Sequence, residues 1–143
     1  MPLSSVFTAY AVCLIVLTLN LMVLWAYSGV VRAKTKTAVN AEDAALYKAE
    51  LAHLDPPEVA RVLRAHANAQ ATTYPFLFLG MAYVLADGSA TIAWIVFGLF
   101  TLSRIAHSAA YLAGKQPWRS LSFMVSVSCI VVLIVSLGIE LTH

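Results

Sequence analysis

Residues 1–31 contain no charged side chain, and three further apolar stretches follow at about 59–86, 90–113 and 118–140. Roughly 20 apolar residues in helical conformation cross the hydrocarbon of a bilayer. In lipid every backbone polar group must find a partner inside the protein, which leaves helices or a closed barrel. No period-two alternation is present, so the chain is expected to be an all-α integral membrane protein. The first span is expected at about 6–30, which makes four transmembrane helices in an up-down-up-down bundle. Composition supports this: 61% of residues are hydrophobic and only 11% charged, with mean hydropathy +0.82, where soluble domains carry about 25% charge.

The 143 residues suffice for a single domain spanning 1–143. Its connections are a polar segment at 31–58, the turn Asp87-Gly88-Ser89, and Gly114-Lys115-Gln116-Pro117 with Pro117 suited to a first helical turn. A net charge of +2 with no basic aromatic strip gives no reason to expect nucleic acid as a partner. Met1-Pro2-Leu3-Ser4-Ser5 lacks the positive start of a signal peptide, so the first run is read as a retained span. Cys13 and Cys129 lie mid-span without ligand-like spacing and are expected to be packing residues, with neither metal nor disulfide indicated.

Orientation follows from the positive charges. Arg32, Lys34, Lys36, Lys48, Arg61 and Arg64 cluster in or beside the 31–58 segment, and Lys115 and Arg119 around the third connection. The N-terminus, the 87–89 turn and the C-terminal tail carry none. The positive-inside rule puts the 31–58 loop in the cytoplasm and both termini outside it.

Against this apolar background the polar residues stand out. Arg61, Arg64, His66 and Asn68 open the second span, Arg104, His107 and Tyr111 close the third, and Arg119 with Ser120 begins the fourth. At 1.5 Å per residue, Arg104 lies roughly 14 Å and His107 roughly 9 Å from the inner end of its span, and Asn68 reaches a depth similar to Arg104. Three helices thus bring polar groups to one depth in the cytoplasmic half. Ionisable groups in such positions face inward and mark functional sites. Arg104, His107 and Tyr111 share one helix face; Arg61, Arg64, Asn68 and Thr72 share another, while His66, Gln70 and Thr73 lie nearly opposite them. A helix polar on two sides cannot show either to lipid, which points to a homo-oligomer with the site at or near a subunit interface. Each residue alone has a plainer reading. Arg61, Arg64 and Arg119 sit near helix ends, where arginine snorkels to headgroups; His66 could be a hydrogen-bonded bundle histidine, and Arg104 a structural partner.

Arg64-Ala65-His66-x-Asn68, Tyr74-Pro75-Phe76-Leu77-Phe78-Leu79-Gly80, Arg104-Ile105-Ala106-His107-x-x-Ala110-Tyr111-Leu112 and Arg119-Ser120, in that order, resemble the MAPEG family, the membrane-associated proteins of eicosanoid and glutathione metabolism. The likeness extends to Arg32 and to Asn40-x-Glu42-Asp43-Ala44, and it leans toward the microsomal prostaglandin E synthase branch and its bacterial relatives, making a bacterial inner membrane the expected location. The resemblance implies a homotrimer binding glutathione between subunits on the cytoplasmic side, with lipophilic substrates arriving from the bilayer. It assigns Arg119 to the glutathione thiolate, Ser120 to a hydrogen bond with it, and Asp43 to a pair with Arg119. It gives Arg32, Arg64, His66, Asn68, Arg104, His107 and Tyr111 to the tripeptide's pocket.

The chain departs from that pattern. Ala71 stands where the family has a glutamate that would meet the ligand's ammonium, and Ala67, Phe123 and Val127 replace an arginine, a tyrosine and a glutamine of the prostaglandin synthase branch. The resemblance therefore carries weaker glutathione binding as an expectation. Two functions are compatible with these residues: a glutathione-dependent transferase, isomerase or peroxidase, favoured by Arg119-Ser120, and a non-catalytic lipid-binding or scaffold protein, favoured by Ala67, Ala71 and Phe123. A pore is disfavoured because the polar groups stop halfway across.

Overall fold

A computed structural model describes residues 3–142. Four long helices carry the fold: α1 (Ser5–Thr35), α3 (Pro57–Leu85), α4 (Ala90–Leu112) and α5 (Trp118–Glu140). Between α1 and α3 lie β1 (Thr37–Ala38), the short helix α2 (Ala41–Tyr47) and β2 (Glu50–Leu51). The apolar stretches at about 59–86, 90–113 and 118–140 fall on α3, α4 and α5, and the one at about 6–30 lies inside α1. The polar segment at 31–58 holds structure of its own. Helix α1 continues past Arg32 to Thr35 and stops where Lys36 turns left-handed, at φ 51°. Beyond it, β1 and β2 pair in parallel with Thr37 opposite Glu50, so the polar segment closes into a small folded cap.

Local chemistry explains the helix ends. The Ser4 side chain accepts the Phe7 amide at 3.2 Å, satisfying one otherwise unpaired N–H of α1. Pro57 begins α3, where its missing N–H costs nothing. Helix α3 also runs through Pro75 without interruption.

Helices α1 and α5 lie on opposite sides of the α3–α4 pair and, among the described residues, do not meet. One end of the bundle packs Tyr10 of α1, Phe76 and Tyr83 of α3, Phe97 and Phe100 of α4, and Leu133 of α5. The other packs Leu24 of α1 with Ala65 and Ala69 of α3, against which Tyr111 and Leu112 of α4 rest. Early α1 and early α4 thus sit level with late α3 and late α5, so successive long helices alternate in direction. In the first cluster the Phe76 and Phe100 rings stack with centroids 3.6 Å apart, and Phe97 meets Phe76 edge-on at 5.7 Å.

Helices α1, α4 and α5 are each long and apolar enough to cross a membrane. Their outward faces carry large exposed apolar side chains, among them Ile15, Val23, Leu102, Met124 and Val135. A surface facing water rarely carries contiguous apolar area on this scale, whereas hydrocarbon accepts it. The protein is an integral membrane protein. Helix α3 has the length, 29 residues, but its polar first half keeps it outside the hydropathy range of the other three. That polar half contributes Asn68 to the cavity described below.

Candidate functional site

Arg104 is the most deeply placed charge among the described residues, with a relative exposure of 0%. Its position on α4, beside Ser103, His107 and Ser108, turns it into the bundle rather than outward. Nη2 donates to Oδ1 of Asn68 on α3 at 2.9 Å, which ties the two helices at the shared depth read from their sequences. Nε and Nη1 have no hydrogen-bond partner among the described residues, and the same is true of His107 Nε2. A guanidinium held this way has one neutral acceptor and, among the described residues, no counter-anion.

One turn further along α4, His107 Nδ1 lies 2.9 Å from the main-chain carbonyl oxygen of Arg119, so that nitrogen carries the proton and donates it. The bond locks the start of α5 against α4. Tyr111 meets His107 edge-on at 5.7 Å, and Phe123 of α5 lies 5.9 Å from the same imidazole. The guanidinium of Arg119 sits over the Tyr111 ring, its carbon 4.9 Å from the centroid, a cation–π contact that fixes its direction. Gln116 supplies a second hold. With its amide oxygen turned toward Arg119 it accepts from Nε at 3.1 Å and Nη2 at 2.6 Å, while its nitrogen donates to Ser120 Oγ at 3.0 Å. Ser120 therefore keeps its own hydroxyl proton to give elsewhere.

These groups surround a cavity of about 350 Å³ lined by Asn68, His107, Tyr111, Arg119, Ser120, Phe123 and Met124. Five of the residues expected from sequence meet there, and Arg104 stands behind Asn68. The other four do not join them within one chain. Arg64 is exposed on α3, and His66 is half-buried on another face of that helix. Arg32 is held at 2.7 Å by Asp55, the one salt bridge among the described residues. Asp43 was expected beside Arg119; instead it lines a separate cavity of the cap with Arg32, Lys36 and Tyr47, and accepts from Asn40 Nδ2 at 3.4 Å. The cap folds onto the end of α1 rather than over α5, which separates the two groups.

Gln116 was not anticipated. Its spacing of three and four residues before Arg119 and Ser120 was the available signal, obscured by its place in a turn. Met124 was missed because nothing distinguishes it from the lipid-facing residues of α5.

The bundle of membrane helices thus gathers arginine, histidine, tyrosine and serine around one open cavity. The chain belongs to the MAPEG family, whose model matches residues 10–139. Among curated proteins it is 36% identical over 121 residues to the prostaglandin E synthase of Homo sapiens, covering 84% of this chain and 80% of the human protein. It is 37% identical over 115 residues to the prostaglandin E synthase of Rattus norvegicus, covering 80% and 74%. It is also 34% identical over 126 residues to microsomal glutathione S-transferase 1 of Homo sapiens, covering 85% and 81%.

Proposed function

We propose that this protein is a glutathione-dependent membrane transferase, isomerase or peroxidase that turns the glutathione thiol against lipophilic substrates drawn from the bilayer. The observation that carries the reading is Arg119, oriented by Tyr111 and Gln116 at the wall of the cavity beside a serine whose proton is uncommitted. The unpartnered nitrogens of Arg104 and His107 fit a ligand bearing carboxylates. The relatives named above, a prostaglandin E synthase and a glutathione S-transferase, support it.

Bound glutathione would supply a thiol nucleophile. Arg119 would stabilise its thiolate, since a nearby cation lowers a thiol pKa and raises the reactive fraction at neutral pH. Ser120 would donate its free hydroxyl proton to the sulfur. Asn68, Arg104, His107 and Tyr111 would hold the tripeptide, with Arg32, Arg64 and His66 joining from the rest of the assembly. A pair between Asp43 and Arg119, which one chain does not make, would have to form between copies.

The same reading treats α3 as a fourth span, its polar faces covered by other copies in a homotrimer. Both termini lie outside the cytoplasm and the cavity opens toward it, in a bacterial inner membrane.

Difference absorbance at the ultraviolet edge tests the chemistry. Purified protein in detergent at neutral pH should show a thiolate band on adding glutathione, and Arg119→Ala should remove both the band and conjugation of a lipophilic electrophile. A parent protein without the band at saturating glutathione would reject the mechanism. The lipid-binding reading, favoured by the aromatic Phe123 and the small, exposed Ala67 and Ala71, would then stand.

A further inference from the structure

Glutathione carries an ammonium as well as two carboxylates, and the distribution of acids in this chain bears on how much of it is read. Of the seven acidic residues, the long helices hold two, Glu58 in the first turn of α3 and Glu140 at the last residue of α5. The others are Glu42, Asp43, Glu50 and Asp55 in the segment between α1 and α3, and Asp87 in the turn after α3. None lines the cavity around Arg119. Asp87 and Glu140 belong to the opposite end of the bundle, where α3 ends and α4 begins. Asp55 is occupied by Arg32, and Glu58 lines a different cavity with Lys34 and Arg61.

The helices meanwhile hold Arg119 at the cavity wall and Arg104 behind Asn68, the latter fully buried and without a counter-anion among the described residues. On α3 the position one turn beyond Asn68 is Ala71, exposed and without any polar atom in its side chain. A second copy of the chain brings the same helices, so assembly adds no carboxylate from within a span. The carboxylate that the assembly would bring from outside the spans, Asp43, would be taken up by Arg119, so an ammonium entering this space finds no free acid, while a carboxylate meets N–H donors.

We infer that the cavity takes its thiol ligand through anionic groups alone, so that small carboxylate-bearing thiols whose α-amine is blocked or missing bind as well as glutathione. This rests on the reading of the cavity as a glutathione site. Calorimetric titration of the purified, detergent-solubilised protein with three thiols tests it: glutathione, N-acetyl-glutathione, and glutathione with its glycine carboxylate converted to an amide. The expected result is an affinity for the N-acetyl form within about threefold of glutathione, and a loss of about tenfold or more for the amide. If N-acetylation weakens binding about tenfold while glutathione itself binds, the inference is overturned and the glutathione reading survives. Binding by none of the three overturns both.

Discussion

At the scale of single residues, the pair Asn68–Arg104 governs both stability and charge. The Asn68 carbonyl is the only acceptor among the described residues for a guanidinium of zero exposure. Asn68→Ala should therefore destabilise the folded protein by about 1.5–3 kcal/mol, the worth of a hydrogen bond to a charged group. Asn68→Asp keeps an acceptor and adds a counter-charge, so its thermal unfolding in detergent should stay near that of the parent. The same carboxylate would neutralise Arg104, and affinity for anionic thiols should fall. Equal loss of stability in both variants would show that Arg104 draws its support from elsewhere. Ala71→Glu makes the complementary change: a carboxylate there should tighten binding of glutathione, by ~1.5–3 kcal/mol at most, and only for ligands with a free amine. At Arg119 a lysine should not substitute, because the planar fork that reaches Gln116 while facing the cavity is lost.

At the scale of elements, the bundle is held by close packing and a few buried hydroxyls rather than by ion pairs. Ser103 of α4 and Ser126 of α5 lie 2.8 Å apart and buried, and each hydroxyl also has a carbonyl of its own helix within reach, so that one donates across to the other helix at most. Ser126→Ala should consequently cost only about 0.6 kcal/mol, the average measured for such bonds between membrane helices. The turn between α3 and α4 is less forgiving. A Cβ on Gly88 would collide with the ring of Tyr83, which is buried and packed edge-on against Phe97. Gly88→Ala should lower stability by about 1–3 kcal/mol through overpacking. Gly98 has no neighbour within 4 Å of such an atom, so Gly98→Ala should be neutral or stabilising in the same unfolding assay.

At the scale of the whole molecule, the protomer leaves polar side chains of α3 without cover. Gln70 and Tyr74 bond each other at 2.9 Å on an exposed face, and Arg64 lies on α3 with its side chain exposed. Hydrocarbon does not tolerate such a face, so another copy should cover it. Mass measurement of the solubilised protein, corrected for bound detergent, should give a trimer; a stable, folded monomer as the sole species would contradict that cover. Reporter fusions at His143 and within residues 45–55 should report opposite sides of the membrane, as the distribution of Lys and Arg requires. Finding both on one side would overturn the four-span topology.

Hydropathy and charge along the chain were enough to define the four long helices, their alternation and the common depth of Asn68, Arg104 and His107. These depend on rise per residue and on the cost of exposing polar groups to lipid, quantities that each segment carries in itself. Arg119-Ser120 and the Arg104 to Tyr111 stripe were legible for the same reason. The folded cap was not, because two-residue strands and a single short helix have too little periodicity to register. The separation of Asp43 from Arg119 and the grip of Gln116 on Arg119 were decided by where the cap and the α4–α5 turn dock. Such contacts depend on the relative placement of segments distant in the chain, or on a turn whose direction is set by the helices around it, and packing alone chooses among the arrangements that local pattern permits.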